Sequence, residues 1–218
     1  MAKQVAIILS GCGVKDGSEI HESVLALLHV VKQGAVPSFF APNENQPQVI
    51  NHVTGAAGGE ARNMMVEAAR IARGEIKDIK QAKAADFDAL LIPGGFGAAN
   101  NLCNFGSKGE VCEVHPEVAR VCQEFHRAKK PIGAICIAPV IVSRVFGAEK
   151  PKLTIGTDVG VAAKLQKLGV QHVNCAATEH VVDKDKKIVT TPAYMLGKNI
   201  AEVDAGIARL VIDVLALA

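Results

Sequence analysis

The 218-residue chain has no tryptophan, one tyrosine and only 4% aromatic residues in all. Aromatic side chains are the surfaces on which unpaired bases stack, so their scarcity argues against a nucleic-acid-binding protein. The charge also argues against nucleic-acid binding. The 24 Lys and Arg residues are nearly balanced by 22 Asp and Glu residues, and they form no long basic tract. We therefore expect no nucleic-acid partner.

Long apolar runs are also missing. No stretch approaches the roughly 20 residues that cross a bilayer, so we expect no membrane partner. The six cysteines are scattered singly, without a CxxC pair, and no Cys/His group has the spacing of a metal site. A chain of this length can bury a core without disulfides, which predicts reduced thiols and a cytoplasmic location.

Apolar sequence is abundant, at 49% of residues, and it falls into short β-branched runs that alternate with segments of helical period. This alternation predicts an α/β sandwich of three layers, with helices on both faces of a mostly parallel sheet. Two short strands around residues 183–186 predict an antiparallel hairpin at one edge. Without internal repeats or a low-complexity linker, residues 1–218 are predicted to form a single domain.

Individual elements follow from the same patterns. Apolar residues recur on one helical face at positions 20, 24, 27, 28 and 31, and amphipathic helices are predicted over 61–73, after Pro116 and from Ile200 to Val214. The predicted strands are 4–9, 36–41, 89–93, 131–135, 153–155, 171–174, 180–183 and 187–190.

The segment around Cys136 carries the clearest signal of chemistry. An apolar strand runs into Cys136, and Pro139 then opens a helix. A nucleophile on so sharp a turn needs small neighbours, which Ala134 and Ala138 supply. Unpaired N–H groups at the helix start favour a thiolate and predict a lowered pKa. The alternative is an inert, buried structural cysteine.

Glycines mark two other strand ends. Residues 93–98, PGGFGA, follow a central strand, and the amides of Gly95 and Ile137 would form an oxyanion hole beside Cys136; the alternative is a plain strand-to-helix turn. The loop at 11–17 misses the dinucleotide fingerprint by one residue, so we expect no cofactor. Glu19 either faces Cys136 across the sheet edge or, after Ser18 as the predicted N-cap, simply complements the dipole of the first helix.

At these residues the chain resembles the ThiJ/PfpI superfamily, which shares the class I glutamine-amidotransferase-like fold. The resemblance rests on PGGFGAANNL at 93–102, GAICIAP at 133–139 and Glu19. Further blocks resemble the ElbB branch, which has been called glyoxalase-like or enhancing lycopene biosynthesis. These blocks are SGCGVKDGSEIHE at 10–22, INHVTG at 50–55, EAARIARG at 67–74, LTIGTD at 153–158 and IVTTPAYM at 188–195.

The resemblance implies a flavodoxin-like sandwich, commonly a homodimer, with Cys136 as nucleophile. It also implies a hydrogen bond from Glu19 to the sulfur and oxyanion donors at Gly95 and Ile137. One departure matters: protease-like members carry His after the cysteine, whereas Ile137 stands here. His180 is the alternative triad residue, but without a positioned imidazole amide hydrolysis lacks its usual acid.

Two functions follow as hypotheses. The first is a cofactor-free, metal-free glyoxalase that converts small 2-oxoaldehydes such as glyoxal and methylglyoxal to 2-hydroxy acids. The second is a redox-responsive or interaction protein in which Cys136 is oxidised. In the second, Cys12 either resolves the oxidised sulfur or packs as a structural thiol. An amidotransferase-like accessory role in isoprenoid metabolism rests only on the names of the family.

Overall fold

A computed structural model, which describes residues 1–218, contains nine strands. They are β1 (Gln4–Ile8), β2 (Val36–Ala41), β3 (Ile76–Asp78), β4 (Ala89–Ile92), β5 (Ile132–Ile135), β6 (Lys152–Leu153), β7 (Gln171–His172), β8 (Val181–Asp183) and β9 (Ile188–Thr191). Seven of them form one sheet in the order β3-β2-β1-β4-β5-β9-β8, and β6 pairs with β7 in a separate small sheet.

Eight α-helices connect or follow these strands. They are α1 (Ile20–Lys32), α2 (Met64–Ala68), α3 (Phe96–Asn100), α4 (Phe105–Lys108), α5 (Pro116–Arg127), α6 (Pro139–Phe146), α7 (Val159–Lys167) and α8 (Ile200–Leu217). None of these helices is both long enough and apolar enough to cross a membrane.

Every pairing within the large sheet is parallel except the edge pair of β8 and β9. The mostly parallel α/β sandwich and its antiparallel edge hairpin are therefore confirmed. The central register places Ile92 of β4 beside Ala134 of β5, and Ile135 of β5 beside Thr191 of β9. The strands that carry the candidate site are thus direct neighbours. A single domain over 1–218 stays a prediction.

Two apolar cores lie on opposite faces of the sheet, because successive side chains of a strand alternate between its faces. On β1, Ala6 and Ile8 belong to one core, and Val5 and Ile7 belong to the other. Helices α5 and α6 cover the first face, and α1 and α8 cover the second. This double cover explains why the central strands are apolar without alternation.

Some elements differ from their predicted bounds. The helix predicted over 61–73 is reduced to α2, because the Asn63 side chain accepts a hydrogen bond from the Val66 N–H and so caps the helix two residues later. Arg73, with φ of 55°, is followed by Gly74 at the end of the turns that continue α2. Strand β3 was not predicted, because three residues at a sheet edge carry almost no periodic signal. The helices after Pro116 and from Ile200 are confirmed.

Helix α1 is oriented in an unexpected way. Its regular apolar face is solvent-exposed at Ile20, Val24, Leu28 and Val31. The opposite face, which includes Glu22, Ser23, Ala26 and His29, is buried against α8 and the sheet. Small residues permit that close contact, and His29 pairs with Asp204 of α8 at 2.6 Å. An exposed apolar face is typical of protein contacts, and the homodimer stays a prediction.

Candidate active site

The candidate site lies at the carboxyl edge of the sheet, where four neighbouring parallel strands end. The loop after β1 leads to Glu19, β4 leads to Gly94 and Gly95, β5 leads to Cys136, and β9 leads to Tyr194. The Glu19 N–H donates to the Gly94 carbonyl oxygen at 2.9 Å, which ties two of these loops together. Open parallel sheets bind their ligands in the crevice at this edge.

Cys136 occupies the tight turn between β5 and α6. Its φ of 63° is in the left-handed region, which non-glycine residues rarely adopt. The Cys136 N–H donates to the Thr191 carbonyl oxygen at 2.9 Å, so the neighbouring strand helps to hold this conformation. Strain of this kind persists where the surrounding structure fixes it, and it is common at active sites. Cys136 is buried, with only 7% of its surface exposed.

The carboxyl group beside the sulfur is that of Glu22, and the sequence analysis had given this place to Glu19. Glu19 instead forms the N-cap of α1, where its Oε2 accepts a hydrogen bond from the Glu22 N–H at 2.7 Å. One turn later, the fully buried Glu22 side chain reaches the sheet edge at Gly94, where its carboxyl group lies beside Cys136. Glu19 thus contacts the backbone of Glu22.

Two backbone donors fix the Glu22 carboxyl group. The Gly94 N–H donates to Oε2 at 3.0 Å, and the Tyr194 N–H donates to Oε1 at 3.2 Å. Gly94 has to be a glycine, because a β-carbon there would lie 2.4 Å from the Cys136 β-carbon and 2.7 Å from Glu22 Oε2. Glycine at this position lets the thiol and the carboxyl group meet.

The two expected oxyanion donors are also at the sulfur. The N–H groups of Gly95 and Ile137 both point to the Cys136 thiol and lower its pKa. Gly95 has a φ of 91°, and a β-carbon on it would lie 2.4 Å from both the Glu19 nitrogen and the Gly17 oxygen. An oxygen atom bonded next to the sulfur would find the same two donors.

Burial dominates the electrostatics of the pair. Desolvation, followed by the Glu22 charge, raises the pKa of the Cys136 thiol well above its ordinary value, despite the two N–H groups. Desolvation and then the Glu19 charge raise the pKa of Glu22 from 4.5 to about 8. The lowered pKa that the helix start suggested for Cys136 was therefore wrong. Both shifts favour the protonated form of their group.

We expect the alkylation rate of Cys136 by iodoacetamide to rise steadily from pH 6 to pH 9, with an inflection near the Glu22 pKa of about 8. The thiolate is the nucleophile, and an ionised Glu22 offers a base beside the thiol. Mass spectrometry of the peptide that contains residue 136 distinguishes this thiol from the other five. A rate already constant at pH 6 would contradict the raised pKa.

Two other candidates lie apart from the pair. Burial and the Glu67 charge raise the pKa of the half-buried Cys12 thiol, and no hydrogen bond joins it to Cys136. His180 Nε2 lies 2.5 Å from Asp213 Oδ2 of α8, so its imidazole is paired with a different carboxylate. No group of three or more His, Cys, Asp or Glu side chains is placed to hold a metal ion.

Neither Glu22 nor Tyr194 was predicted as a site residue from the sequence. A signal for Glu22 was present, because it lies three, four and seven residues before Leu25, Ala26 and His29 and therefore shares their helical face. A carboxyl group on the buried face of a helix needs a partner or a function. Tyr194 had no such signal, since its place at the site depends on how the chain turns after β9.

A parallel sheet with a cysteine at the turn from strand into helix defines an α/β protein of the class I glutamine-amidotransferase-like fold. The sequence profile of the DJ-1/PfpI family matches residues 76–196. A crystal structure of an isoprenoid biosynthesis protein with an amidotransferase-like domain from Ehrlichia chaffeensis superposes with a TM-score of 0.94, at 40% identity over 99% of both chains. The chain belongs to the DJ-1/PfpI family.

Other relatives agree with this assignment. A Rattus norvegicus protein named ES1 protein homolog, mitochondrial, is 44% identical over 98% of this chain and 84% of its own length. The human glutamine amidotransferase-like class 1 domain-containing protein 3, mitochondrial, is 44% identical over 99% of this chain and 84% of its own. Drosophila melanogaster DJ-1beta, at 19% identity and a TM-score of 0.59 over 100% and 96% of the chains, shares the fold.

These names correct the expected location. The rat and human proteins are named as mitochondrial, and so is the ES1 protein of Danio rerio, which is 32% identical over 88% of this chain and 76% of its own. The cytoplasmic prediction was wrong, because the relatives point to mitochondria. Scattered, reduced cysteines indicate a reducing compartment but do not distinguish one such compartment from another.

Proposed function

We propose that this protein is a cofactor-independent, glyoxalase-like enzyme that converts methylglyoxal or glyoxal to the corresponding 2-hydroxy acid. The observation that supports it is the buried pair of the Cys136 thiol and the Glu22 carboxyl group, which both lie against Gly94 and influence each other's pKa. The proposal assigns Cys136 as nucleophile and Glu22 as acid–base group. Glu19 positions Glu22, and Gly95 and Ile137 provide the oxyanion donors.

The reaction begins with addition of the sulfur to the aldehyde. The ionised Glu22 carboxylate accepts the thiol proton as the sulfur–carbon bond forms, and the aldehyde oxygen becomes an alkoxide. The N–H groups of Gly95 and Ile137 stabilise this alkoxide, because they already point to the space beside the sulfur. Protonated Glu22 then donates its proton to the alkoxide, which gives a hemithioacetal.

A proton transfer between neighbouring carbons follows. The Glu22 carboxylate removes the hydrogen of the former aldehyde carbon, which leaves an enediolate with its negative charge on the oxygen of the second carbon. Protonated Glu22 returns this proton to the second carbon, and the hydroxyl proton of the first carbon moves to the oxygen of the second carbon, which leaves a thioester of the 2-hydroxy acid on Cys136. Water hydrolyses this ester and restores the thiol. A carboxyl group with a pKa of about 8 can both accept and donate a proton near neutral pH.

Amide hydrolysis is a poorer fit, although two relatives carry amidotransferase-like in their names. Expulsion of an amine needs a positioned acid, usually an imidazole. The histidine proposed from the sequence for this role, His180, is hydrogen-bonded to Asp213. An aldehyde has no amine to expel, so the Cys136–Glu22 pair suffices for it. The isoprenoid name of the Ehrlichia protein suggests no separate chemistry for this site.

Oxidation of Cys136, the redox hypothesis, is also disfavoured at neutral pH. Peroxide reacts with thiolates, and susceptibility follows ionisation and exposure. Cys136 is only 7% exposed and burial raises the pKa of its thiol, so neither exposure nor ionisation favours oxidation. The same raised pKa is compatible with the proposed enzyme, because Glu22 removes the thiol proton only as the sulfur attacks.

The test is a turnover assay of the purified protein with methylglyoxal, in the presence of a metal chelator and without glutathione. We expect lactate to form at a rate above that of buffer and to increase from pH 6.5 to pH 8. In deuterium oxide, part of the lactate should carry deuterium on its second carbon, because the Glu22 proton exchanges with solvent. Lactate formation no faster than in buffer over this pH range would refute the proposal.

A further inference from the structure

Tyr194 contacts two consecutive residues of α1 through two different groups. Its N–H donates to Glu22 Oε1 at 3.2 Å, and its hydroxyl group shares a hydrogen bond of 2.8 Å with His21 Nδ1. The His21 and Tyr194 rings lie 5.8 Å apart, centroid to centroid. His21 is exposed, whereas Glu22 is fully buried. Tyr194 thus connects the surface to the reactive pair.

The backbone before Tyr194 is constrained. Ala193 is fully buried and has a φ of 44°, in the left-handed region that alanine rarely adopts. Its conformation turns the chain sharply after β9 and presents the Tyr194 N–H to Glu22. Since a strained residue keeps its conformation only under external constraint, the contacts that anchor Tyr194 matter for the position of that N–H.

We propose that His21 and Tyr194 form a positioning pair that holds the Glu22 carboxyl group against the Cys136 thiol. His21 anchors the phenol ring on the exposed side, and the Tyr194 N–H fixes Glu22 on the buried side. Neither side chain needs to touch a substrate for this role. The inference rests on the proposed role of the Cys136–Glu22 pair and is independent of which aldehyde, if any, reacts there.

The groups that face Glu22 determine how its pKa should change when the Tyr194 N–H is displaced. Glu19 approaches from the N-cap of α1, Cys136 from the turn after β5, the Gly94 N–H from the loop after β4, and Tyr194 from the turn after β9. Glu19 carries negative charge and disfavours a second charge on Glu22, whereas both N–H donors favour it. If the Tyr194 N–H is no longer held in place, Glu22 loses a donor that favours its charged form, and its pKa therefore rises.

The experiment compares Tyr194→Phe, His21→Ala and the double variant by the pH profile of Cys136 alkylation with iodoacetamide. We expect each single variant to move the inflection to higher pH and to slow alkylation at pH 7 by about 3- to 10-fold, the range of one hydrogen bond. Because both substitutions remove the same bond, we expect the double variant to match either single one. His126→Ala, on the distant α5, serves as the matched histidine control.

Unchanged profiles in both single variants would overturn the proposal, and so would effects that add in the double variant. Tyr194→Phe retains the ring and removes one oxygen atom, so thermal unfolding should be unchanged and a shifted profile would not reflect misfolding. Alkylation needs no turnover. A shifted profile without lactate formation would refute the glyoxalase proposal alone, and lactate formation with an unshifted profile would refute the positioning pair alone.

Discussion

Cys136→Ala is expected to reduce lactate formation from methylglyoxal by at least about 10³-fold, to the rate of buffer, because the variant lacks the atom that bonds to the aldehyde. The N–H groups of Gly95 and Ile137 remain in place, but without a covalent intermediate they have no alkoxide to stabilise. The measurement is the initial rate of lactate formation at pH 8, where Glu22 is half ionised. Binding of a substrate analogue would show whether the site itself survives.

Cys12→Ala is the matched control for this variant. Cys12 is half-buried on another loop at the same sheet edge, and the charges that act on it come from Glu67, Arg70 and Asp16. We expect its rate to remain within about twofold of the wild-type rate, as for substitutions outside an active site. Activity retained by Cys136→Ala would remove Cys136 from the mechanism. A large loss in Cys12→Ala would mean that the second thiol takes part.

The position of Cys136 was predictable because the motif that creates it is local. An apolar strand, small residues at 134 and 138, and Pro139 at a helix start all lie within ten residues. The mostly parallel sheet also followed from general rules, since alternating strands and helices form parallel sheets whose carboxyl ends share one edge. Gly95 and Ile137 could be named for the same reason, as each adjoins the end of a central strand.

The partner of Cys136 was harder to predict, because it depends on which face of α1 is buried. The apolar residues of α1 indicate one face by their period, yet that face is exposed and the mixed face with Glu22 and His29 is buried. Burial is decided by packing against α8, which lies some 170 residues further along the chain. Glu19 and Glu22 are one helical turn apart, so a rotation of the helix exchanges their environments.

The ionisation state of the thiol was also hard to predict, because it depends on distant parts of the chain. A helix start favours a thiolate by up to about 2 kcal/mol in partly buried sites. Removal of a thiolate from water costs more than this where no cation is near, and the Cys136–Glu22 pair brings a second acidic group. The sequence near Cys136 contains the favourable contribution, whereas burial and Glu22 come from other parts of the fold.

Glu22→Gln is expected to lower lactate formation by about 10²- to 10³-fold, the usual contribution of an acid–base group. Glutamine fills the same space but neither accepts the thiol proton nor transfers one between the substrate carbons. The inflection near pH 8 in the alkylation profile of Cys136 should disappear with it. The variant should still fold, because loss of one acceptor for the Gly94 or Tyr194 N–H costs about 1–3 kcal/mol. Thermal unfolding checks this.

Glu19→Gln makes the same chemical change one helical turn earlier, but we expect it to preserve most of the activity. The glutamine oxygen can still accept the Glu22 N–H, so the cap of α1 is retained. The lost negative charge, however, lets the pKa of Glu22 fall from about 8 toward its ordinary value. The pH profile of alkylation should therefore move to lower pH while most of the activity remains. A large loss of activity in Glu19→Gln, together with an active Glu22→Gln, would return the acid–base role to Glu19.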